Sequence, residues 1–142
     1  MKTAAQFLDQ RQVRRNFARA AATYDQVAVL QREVGRRMLE RLDYVRLEPQ
    51  RVLDLGCGTG ASITALHERY PKAAVIGVDL SEAMLRIGQK QRSRLRWLLP
   101  FLPGRRPALL AADAAALPFK PQSIGLLWSN LMLHWLDDPL QG

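Results

Sequence analysis

A short apolar segment leads into a glycine-rich turn at residues 52–60, Val-Leu-Asp-Leu-Gly-Cys-Gly-Thr-Gly. Gly56, Gly58 and Gly60 let the main chain turn sharply and approach a ligand with no Cβ in the way. The helical pattern that follows would offer free N–H groups at its first turn. The segment predicts a strand, a turn and a helix with a nucleotide-like cofactor at the turn, although an ordinary strand-to-helix connection can have the same spacing.

A second apolar segment, residues 73–79, follows this predicted helix and ends at Asp79. Its apolar residues are continuous, which is typical of a strand buried on both faces of a parallel sheet. A right-handed crossover brings the carboxyl ends of both strands to one edge, so Asp79 should face the glycine turn. The carboxylate is then placed to bind ribose hydroxyls. The alternative is that Asp79 caps the next helix, a role that Ser81 could also take.

The rest of the chain predicts one long helix before this unit and further elements after it. Residues 6–19 could form a weak amphipathic helix or a flexible arm, and residues 27–42 predict one helix with a single apolar stripe. After a helix at residues 82–91, the arginine-rich segment 92–107 contains three prolines and predicts an irregular insert. This insert could bind an acidic partner or a membrane surface, or its apolar residues could pack back on the domain.

Two more strands are predicted, at residues 108–112 and 124–130. Both are followed by polar side chains at the predicted carboxyl edge of the sheet, Asp113 after the third strand and Asn130 at the end of the fourth. The sequence thus places side chains from four strand ends at one edge.

The chain carries a formal net charge of +8, from 21 lysine and arginine residues against 13 aspartate and glutamate residues. This balance favours an acidic partner, such as an acidic protein, a nucleic acid or an anionic membrane, without choosing among them. There is no run of 18 apolar residues and no apolar signal core, so we expect a cytoplasmic chain without a membrane span. Cys57 is the only cysteine, which excludes an internal disulfide and a cysteine metal cluster.

Four features stand in order along the chain: D-x-G-x-G-x-G after the first strand, Asp79 after the second, Asp113-Ala114 after the third and Ser129-Asn130 after the fourth. Together they resemble the class I S-adenosylmethionine-dependent methyltransferases. The resemblance implies an α/β, Rossmann-like fold with a parallel sheet, and S-adenosyl-L-methionine as the cofactor.

The family sheet has seven strands in the order 3-2-1-4-5-7-6, so this chain should contain only its N-terminal half. We expect an N-terminal helical arm at residues 1–45 and an incomplete S-adenosylmethionine-binding domain at residues 46–142. Strand four, with residues 126–128, should form a bare apolar edge that could pair with another chain, such as a complementing C-terminal fragment.

Four shorter segments resemble the malonyl-[acyl-carrier protein] O-methyltransferases of biotin synthesis: residues 17–25, 30–33, 116–119 and 128–135. This narrower resemblance implies methylation of the free carboxyl of malonyl-acyl-carrier protein or malonyl-CoA, impaired here by the missing strands. It also implies an acidic acyl-carrier protein as partner and no nucleic acid. A subfamily that hydroxylates arginine during assembly of respiratory complex I shares some segments. The alternatives are therefore such a hydroxylase, another small-molecule methyltransferase, or a binding module without catalytic activity.

The resemblance implies which residues surround the methionine part of the cofactor. Asp54 and the backbone of the three turn glycines would lie around it. Tyr24 would close over its carboxylate, and Asn130 would line the pocket near the sulfonium.

The adenosine part would be held by residues that follow the second and third strands. Asp79 would bind the ribose hydroxyls, while Leu80 and Met84 would pack against the adenine. Asp113 would bind the adenine amino group, and the Ala114 N–H would bind a ring nitrogen. No catalytic acid or base and no metal is implied, because a sulfonium carbon is already electrophilic and a carboxylate is already nucleophilic. Positioning then supplies most of the catalysis.

Overall fold

The computed structural model describes residues 9–98 and 106–136 of the chain. In this part the strands are β1 (Arg51–Leu55), β2 (Ala74–Asp79), β3 (Ala108–Ala111) and β4 (Leu126–Trp128). The helices are α1 (Gln10–Ala20), α2 (Tyr24–Val27), α3 (Val29–Arg41), α4 (Ile63–Arg69) and α5 (Glu82–Leu98), with single 3-10 turns at Leu42–Tyr44 and Leu133–Trp135. Within these residues, no helix is long and apolar enough to cross a membrane.

The four strands form one sheet in the order β3-β2-β1-β4, and every neighbouring pair is parallel. Leu53 of β1 pairs with Ile76 of β2 on one side and with Leu127 of β4 on the other. The predicted α/β fold with a parallel sheet is therefore confirmed. Because the strands run in the same direction, the turn after β1 and Asp79 at the end of β2 lie at the same edge.

Apolar clusters cover both faces of the sheet. Val52 packs with Ile63 and Leu66 of α4 on one face. Leu53 and Val78 belong to a separate cluster, because alternate residues of a strand point to opposite faces. All five side chains are at most 1% exposed. Burial on both sides explains why these strands read as continuous apolar segments.

Residues 10–20 of the N-terminal segment form α1, so over these residues the structure shows the amphipathic helix and not the flexible arm. Asp9 caps α1, and its carboxylate accepts a hydrogen bond of 2.9 Å from the Arg11 N–H. Val13 is the buried residue of this helix. The cap and the buried side chain compensate for a composition rich in arginine.

The helix predicted over residues 27–42 is confirmed for Val29–Arg41, but it begins two residues later than predicted. The chain breaks at Ala28, whose ψ of 44° lies outside the helical range, and the break separates α2 from α3. Val27 is 73% exposed and Leu30 is 64% exposed, so the first two residues of the supposed stripe do not face the core. Apolar spacing alone cannot reveal a break of this kind, because tertiary context can override local helix propensity.

The predicted end of the helix at Gln91 is also wrong, because α5 continues to Leu98. No proline occurs between residue 80 and Pro100, so nothing in the backbone stops the helix earlier. Arg92 is half-buried and its Nη2 donates a hydrogen bond of 2.5 Å to the Pro107 carbonyl. Residues 99–105 of the expected insert lie outside the described residues.

The fourth strand is shorter than predicted, covering residues 126–128 only. Of the expected bare edge, Leu127 is 56% exposed, whereas Trp128 is 3% exposed and packs in the core. The expectation of an apolar edge is therefore right for Leu127 and wrong for Trp128. The cause is the alternation of a strand, which turns neighbouring side chains to opposite faces.

Candidate functional site

The glycine turn after β1 is fastened to the end of β2. The N–H groups of Gly56 and Cys57 both donate to the Val78 carbonyl, at 2.8 and 2.9 Å. Gly56 has a φ of +74°, and a Cβ placed there would lie 2.1 Å from Cγ of Met132. Only glycine fits this position, since any side chain would meet both backbone strain and a steric clash.

Asp79 connects this turn to the start of α5. Its Oδ2 accepts a hydrogen bond of 2.8 Å from the Gly58 N–H, and its Oδ1 accepts one of 2.8 Å from the Ser81 N–H. Burial raises the pKa of Asp79, although these backbone hydrogen bonds act in the opposite direction. The Ser81 hydroxyl accepts from the Met84 N–H at 3.4 Å, so Ser81 caps α5. Asp79 keeps further acceptor positions for a ligand, because each carboxylate oxygen has two lone pairs.

A pocket of about 360 Å³ opens at the carboxyl edge of the sheet. This volume is within the range of small-molecule and cofactor sites. Nine of the eleven predicted cofactor residues line it. They are Tyr24, Gly56, Gly58, Asp79, Leu80, Met84, Asp113, Ala114 and Asn130. The chain therefore brings residues from both helical and strand-end segments together at a single site.

The other two predicted residues, Asp54 and Gly60, do not line the pocket and lie behind its wall. Asp54 is 3% exposed, and burial, followed by the negative charge of Asp79, raises its pKa to about 7. Gly60 has a φ of +82°, and its N–H donates to the Cys57 carbonyl at 2.8 Å. These two residues support the glycine turn, and neither of them lines the pocket.

Asn130 extends from the end of β4 to α3. Its Nδ2 donates a hydrogen bond of 2.7 Å to the Gln31 carbonyl, while its Oδ1 is buried without a partner among the described residues. The absence of a side chain at Gly35 makes room for this contact, because a Cβ there would lie 3.0 Å from Nδ2. An unsatisfied buried acceptor is costly unless a ligand donates to it. The next residue, Leu131, has a φ of +53°, which stores backbone strain at the pocket wall.

Aromatic side chains close the pocket on the side of the N-terminal helices. Phe17 of α1 makes edge contacts with Tyr24, at 6.4 Å between ring centroids, and with Trp135, at 5.3 Å. Gln10 supports the same contact, since its Nε2 donates to the Trp135 carbonyl at 3.0 Å. Burial raises the pKa of Tyr24, and the charges of Asp79 and Asp25 add to this effect. Helix α1 thus forms a roof over the pocket.

Asp25 joins the roof to the glycine turn, and sequence reasoning assigned it no role. Its two oxygens accept hydrogen bonds of 2.7 Å from the Thr59 hydroxyl and from Nε2 of Gln91. Phe17 and Trp135 also line the pocket and were not predicted as site residues. All of these contacts join residues far apart in the chain, and a single sequence gives no signal for such pairs.

Asp113 is the most open of the predicted site residues. Its Oδ1 accepts a hydrogen bond of 2.9 Å from the Ala115 N–H, which shapes the loop after β3. The main chain here is tied to β2, because the Ala112 N–H donates to the Asp79 carbonyl at 3.1 Å. The loop therefore presents the Ala114 backbone and a carboxylate beside Asp79.

The acidic side chains around the pocket favour a ligand that carries positive charge next to hydroxyl and amine donors. Within residues 9–98 and 106–136, no group of three or more histidine, cysteine, aspartate or glutamate side chains could hold a metal ion. Cys57 is buried, and burial raises the pKa of its thiol, so it is a poor nucleophile. The site is equipped to bind and orient a ligand.

Known proteins similar to this chain include the malonyl-[acyl-carrier protein] O-methyltransferase of Halorhodospira halophila, 52% identical over 134 residues, which cover 94% of this chain and 42% of that protein. The enzyme of the same name from Methylovorus is 48% identical over 138 residues, covering 97% of this chain and 46% of that protein. The chain therefore spans a little under half the length of these curated relatives.

Solved structures share the fold. A Haloferax volcanii complex of the Trm112 methyltransferase activator with a methyltransferase aligns with a TM-score of 0.70 and 22% identity, covering 88% of this chain and 51% of that one. Residues 52–141 also match the family described as "Methyltransferase domain". This match agrees with the sequence-based expectation of S-adenosylmethionine as the cofactor. The chain belongs to the methyltransferase domain family.

Proposed function

We propose that the pocket binds S-adenosyl-L-methionine and that the chain is the cofactor-binding part of a methyltransferase for the free carboxyl of malonyl-acyl-carrier protein. This reaction would be a cytoplasmic step of biotin synthesis. The observation that carries the proposal is the meeting of nine predicted cofactor residues in one pocket. The acceptor is inferred from the relatives, which are about 50% identical to this chain.

The described residues fit this cofactor on three counts. The turn at Gly58 is free of steric clash, because a Cβ built there would make only ordinary contacts, at 3.8 Å with Met84 and 3.9 Å with Tyr24, and the backbone of Gly58 lines the pocket. The buried Oδ1 of Asn130 needs a donor, and the ammonium of a methionine moiety is a suitable one. Asp79 would accept from ribose hydroxyls while it keeps its bonds to Gly58 and Ser81.

When bound, the cofactor supplies a methyl group on a sulfonium, which a substrate carboxylate can attack without prior deprotonation. The chain's own residues then have to hold the two reactants in line and exclude water. Water would be excluded by the aromatic side chains of Phe17, Tyr24 and Trp135, which form a wall over the site. Asp79, which lines the pocket, would stabilise a cationic ligand through its negative charge.

The proposal is tested by transfer of a labelled methyl group to malonyl-acyl-carrier protein. Because the relatives are about twice as long, the assay uses this chain alone and this chain mixed with residues beyond the matched region of the Halorhodospira halophila relative. We expect a labelled ester, sensitive to mild base, in at least the mixture. Transfer to another acceptor in preference to the malonyl carboxyl would contradict the proposed substrate, and hydroxylation in place of methylation would contradict the reaction.

A further inference from the structure

Helix α1 differs from α3, which also contains four arginines, in how the charges of its arginines are compensated. Its residues include four arginines and no acid. In α3, by contrast, Arg36 and Arg37 pair with Glu33, and Arg36 also pairs with Glu40. The uncompensated charge on α1 is an electrostatic cost to the fold, so it calls for a separate explanation.

Three of the α1 arginines form a stripe along one side. Arg11, Arg15 and Arg19 follow one another at four-residue spacing, so they lie on one face of the helix, and all three are exposed. Among the described residues, no carboxylate lies within ion-pair distance of them, since Arg14 alone on this helix has such a contact, with Glu82 at 3.3 Å. We call these three residues the arginine stripe.

The opposite side of the same helix is part of the pocket. Gln10, Val13, Arg14 and Phe17 line it, at the spacing of a second helical face. A partner on the arginine stripe would therefore lie one helix diameter, about 10 Å, from the cofactor site. A flexible arm on that partner could place its end in the pocket.

We propose that the arginine stripe of α1 is the docking surface for an acidic carrier protein, which presents its tethered acceptor to the pocket around the edge of α1. The identity of the carrier rests on the proposed function. Arginine guanidinium groups bind carboxylates in a bidentate manner, and a four-residue spacing on one helix matches acidic residues at the same spacing on a partner helix. The stripe extends over three residues, which suits a protein helix better than the longer phosphate track of a nucleic acid.

The test compares two charge-reversal variants of equal size. The stripe variant carries Arg11→Glu, Arg15→Glu and Arg19→Glu. The control carries Arg41→Glu, Arg46→Glu and Arg106→Glu, three exposed arginines that lie at the end of α3 and in the segments before β1 and β3. Binding of labelled malonyl-acyl-carrier protein is followed by fluorescence anisotropy at two salt concentrations, and circular dichroism checks the fold. If the stripe variant does not fold, the three Arg→Gln substitutions replace it.

We expect the stripe variant to weaken carrier binding by tenfold or more and to reduce its salt dependence, while the control changes affinity by less than threefold. Equal losses in both variants would overturn the proposal. The proposal would also be overturned if the stripe variant lost binding to RNA or to anionic vesicles while its binding to the carrier stayed unchanged.

Titration of S-adenosylhomocysteine into the same variants separates this proposal from the proposed function. We expect unchanged cofactor affinity in the stripe variant, because its three residues do not line the pocket. Carrier binding is measured without cofactor, so the two results are independent. A failure of cofactor binding would contradict the proposed function. The anisotropy data alone would then decide whether the arginine stripe binds the carrier.

Discussion

The carboxylate of Asp25 lies 2.7 Å from the hydroxyl of Thr59 and accepts its hydrogen bond. This contact connects α2 to the glycine turn across 34 positions of sequence. A second hydrogen bond, from Gln91, ties the same carboxylate to α5. The roof of the pocket is therefore fixed to the turn that forms its floor, and we expect roof closure and turn geometry to be coupled.

Removing this carboxylate should loosen the roof. We predict that Asp25→Ala lowers the free energy of unfolding by about 1.5 to 3 kcal/mol, the usual range for hydrogen bonds to a charged group. Urea unfolding of Asp25→Ala, Thr59→Val and the double variant gives the coupling between the two sites, which should exceed about 0.5 kcal/mol. Thr64→Val in α4 is the matched control and should be additive with Asp25→Ala. If the effects of Asp25→Ala and Thr59→Val on the free energy of unfolding were additive, the proposed coupling between the roof and the turn would be contradicted.

Two neighbouring turn glycines should respond differently to alanine. Both have positive φ, but a Cβ at Gly56 would lie 2.1 Å from Met132, whereas a Cβ at Gly58 would have its nearest contact at 3.8 Å. Gly58→Ala should cost only the backbone strain, about 1 to 2 kcal/mol, and should weaken cofactor binding because the methyl group enters the pocket. Gly56→Ala should be clearly more destabilising. Equal losses in urea unfolding would show that the clash with Met132 is relieved at no cost.

The parts of this structure that a single sequence predicts are those that depend on local patterns. The continuous apolar segments gave β1 and β2, and the glycine spacing gave the turn, because burial and positive φ impose those residue types directly. The identity of Asp79 as the acid facing the turn followed from the handedness of a βαβ unit.

Features that depend on contacts between distant residues were not predictable in the same way. The role of Asp25 depends on hydrogen bonds from Thr59 and Gln91, which no spacing reveals. The end of α5 was misjudged because an arginine-rich composition was taken for irregular structure, although the helix has no proline before residue 100. The placement of Asp54 behind the pocket wall likewise depends on tertiary packing, which no spacing reveals.

Asp54 should make stability depend on pH near neutrality. Its pKa is about 7 in the folded chain, against an ordinary value of 3.8. Between these values the folded state keeps a proton that the unfolded state has released, so stability falls as pH rises from about 4 to about 7. Above that range both states are ionised and this contribution becomes constant.

The isosteric variant Asp54→Asn removes this titration. We predict that the free energy of unfolding of Asp54→Asn increases relative to that of the wild type as pH rises, by at most about 1.4 kcal/mol per pH unit. Urea unfolding at pH 5, 6, 7 and 8 measures the difference, and Asp113→Asn serves as an exposed control. Parallel pH profiles of wild type and Asp54→Asn would mean that Asp54 has an ordinary pKa in the folded chain.

The central claim is that this chain holds S-adenosylmethionine through Asp79, and calorimetric titration of S-adenosylhomocysteine tests it most directly. The measurement compares the folded wild type with Asp79→Ala, Asp79→Asn and the exposed control Glu68→Ala, each checked by circular dichroism. We predict saturable binding to the wild type and to Glu68→Ala, and a loss of tenfold or more in both Asp79 variants, because each removes charge-assisted hydrogen bonds. No binding to the folded wild type, or equal affinity in the Asp79 variants, would contradict the account.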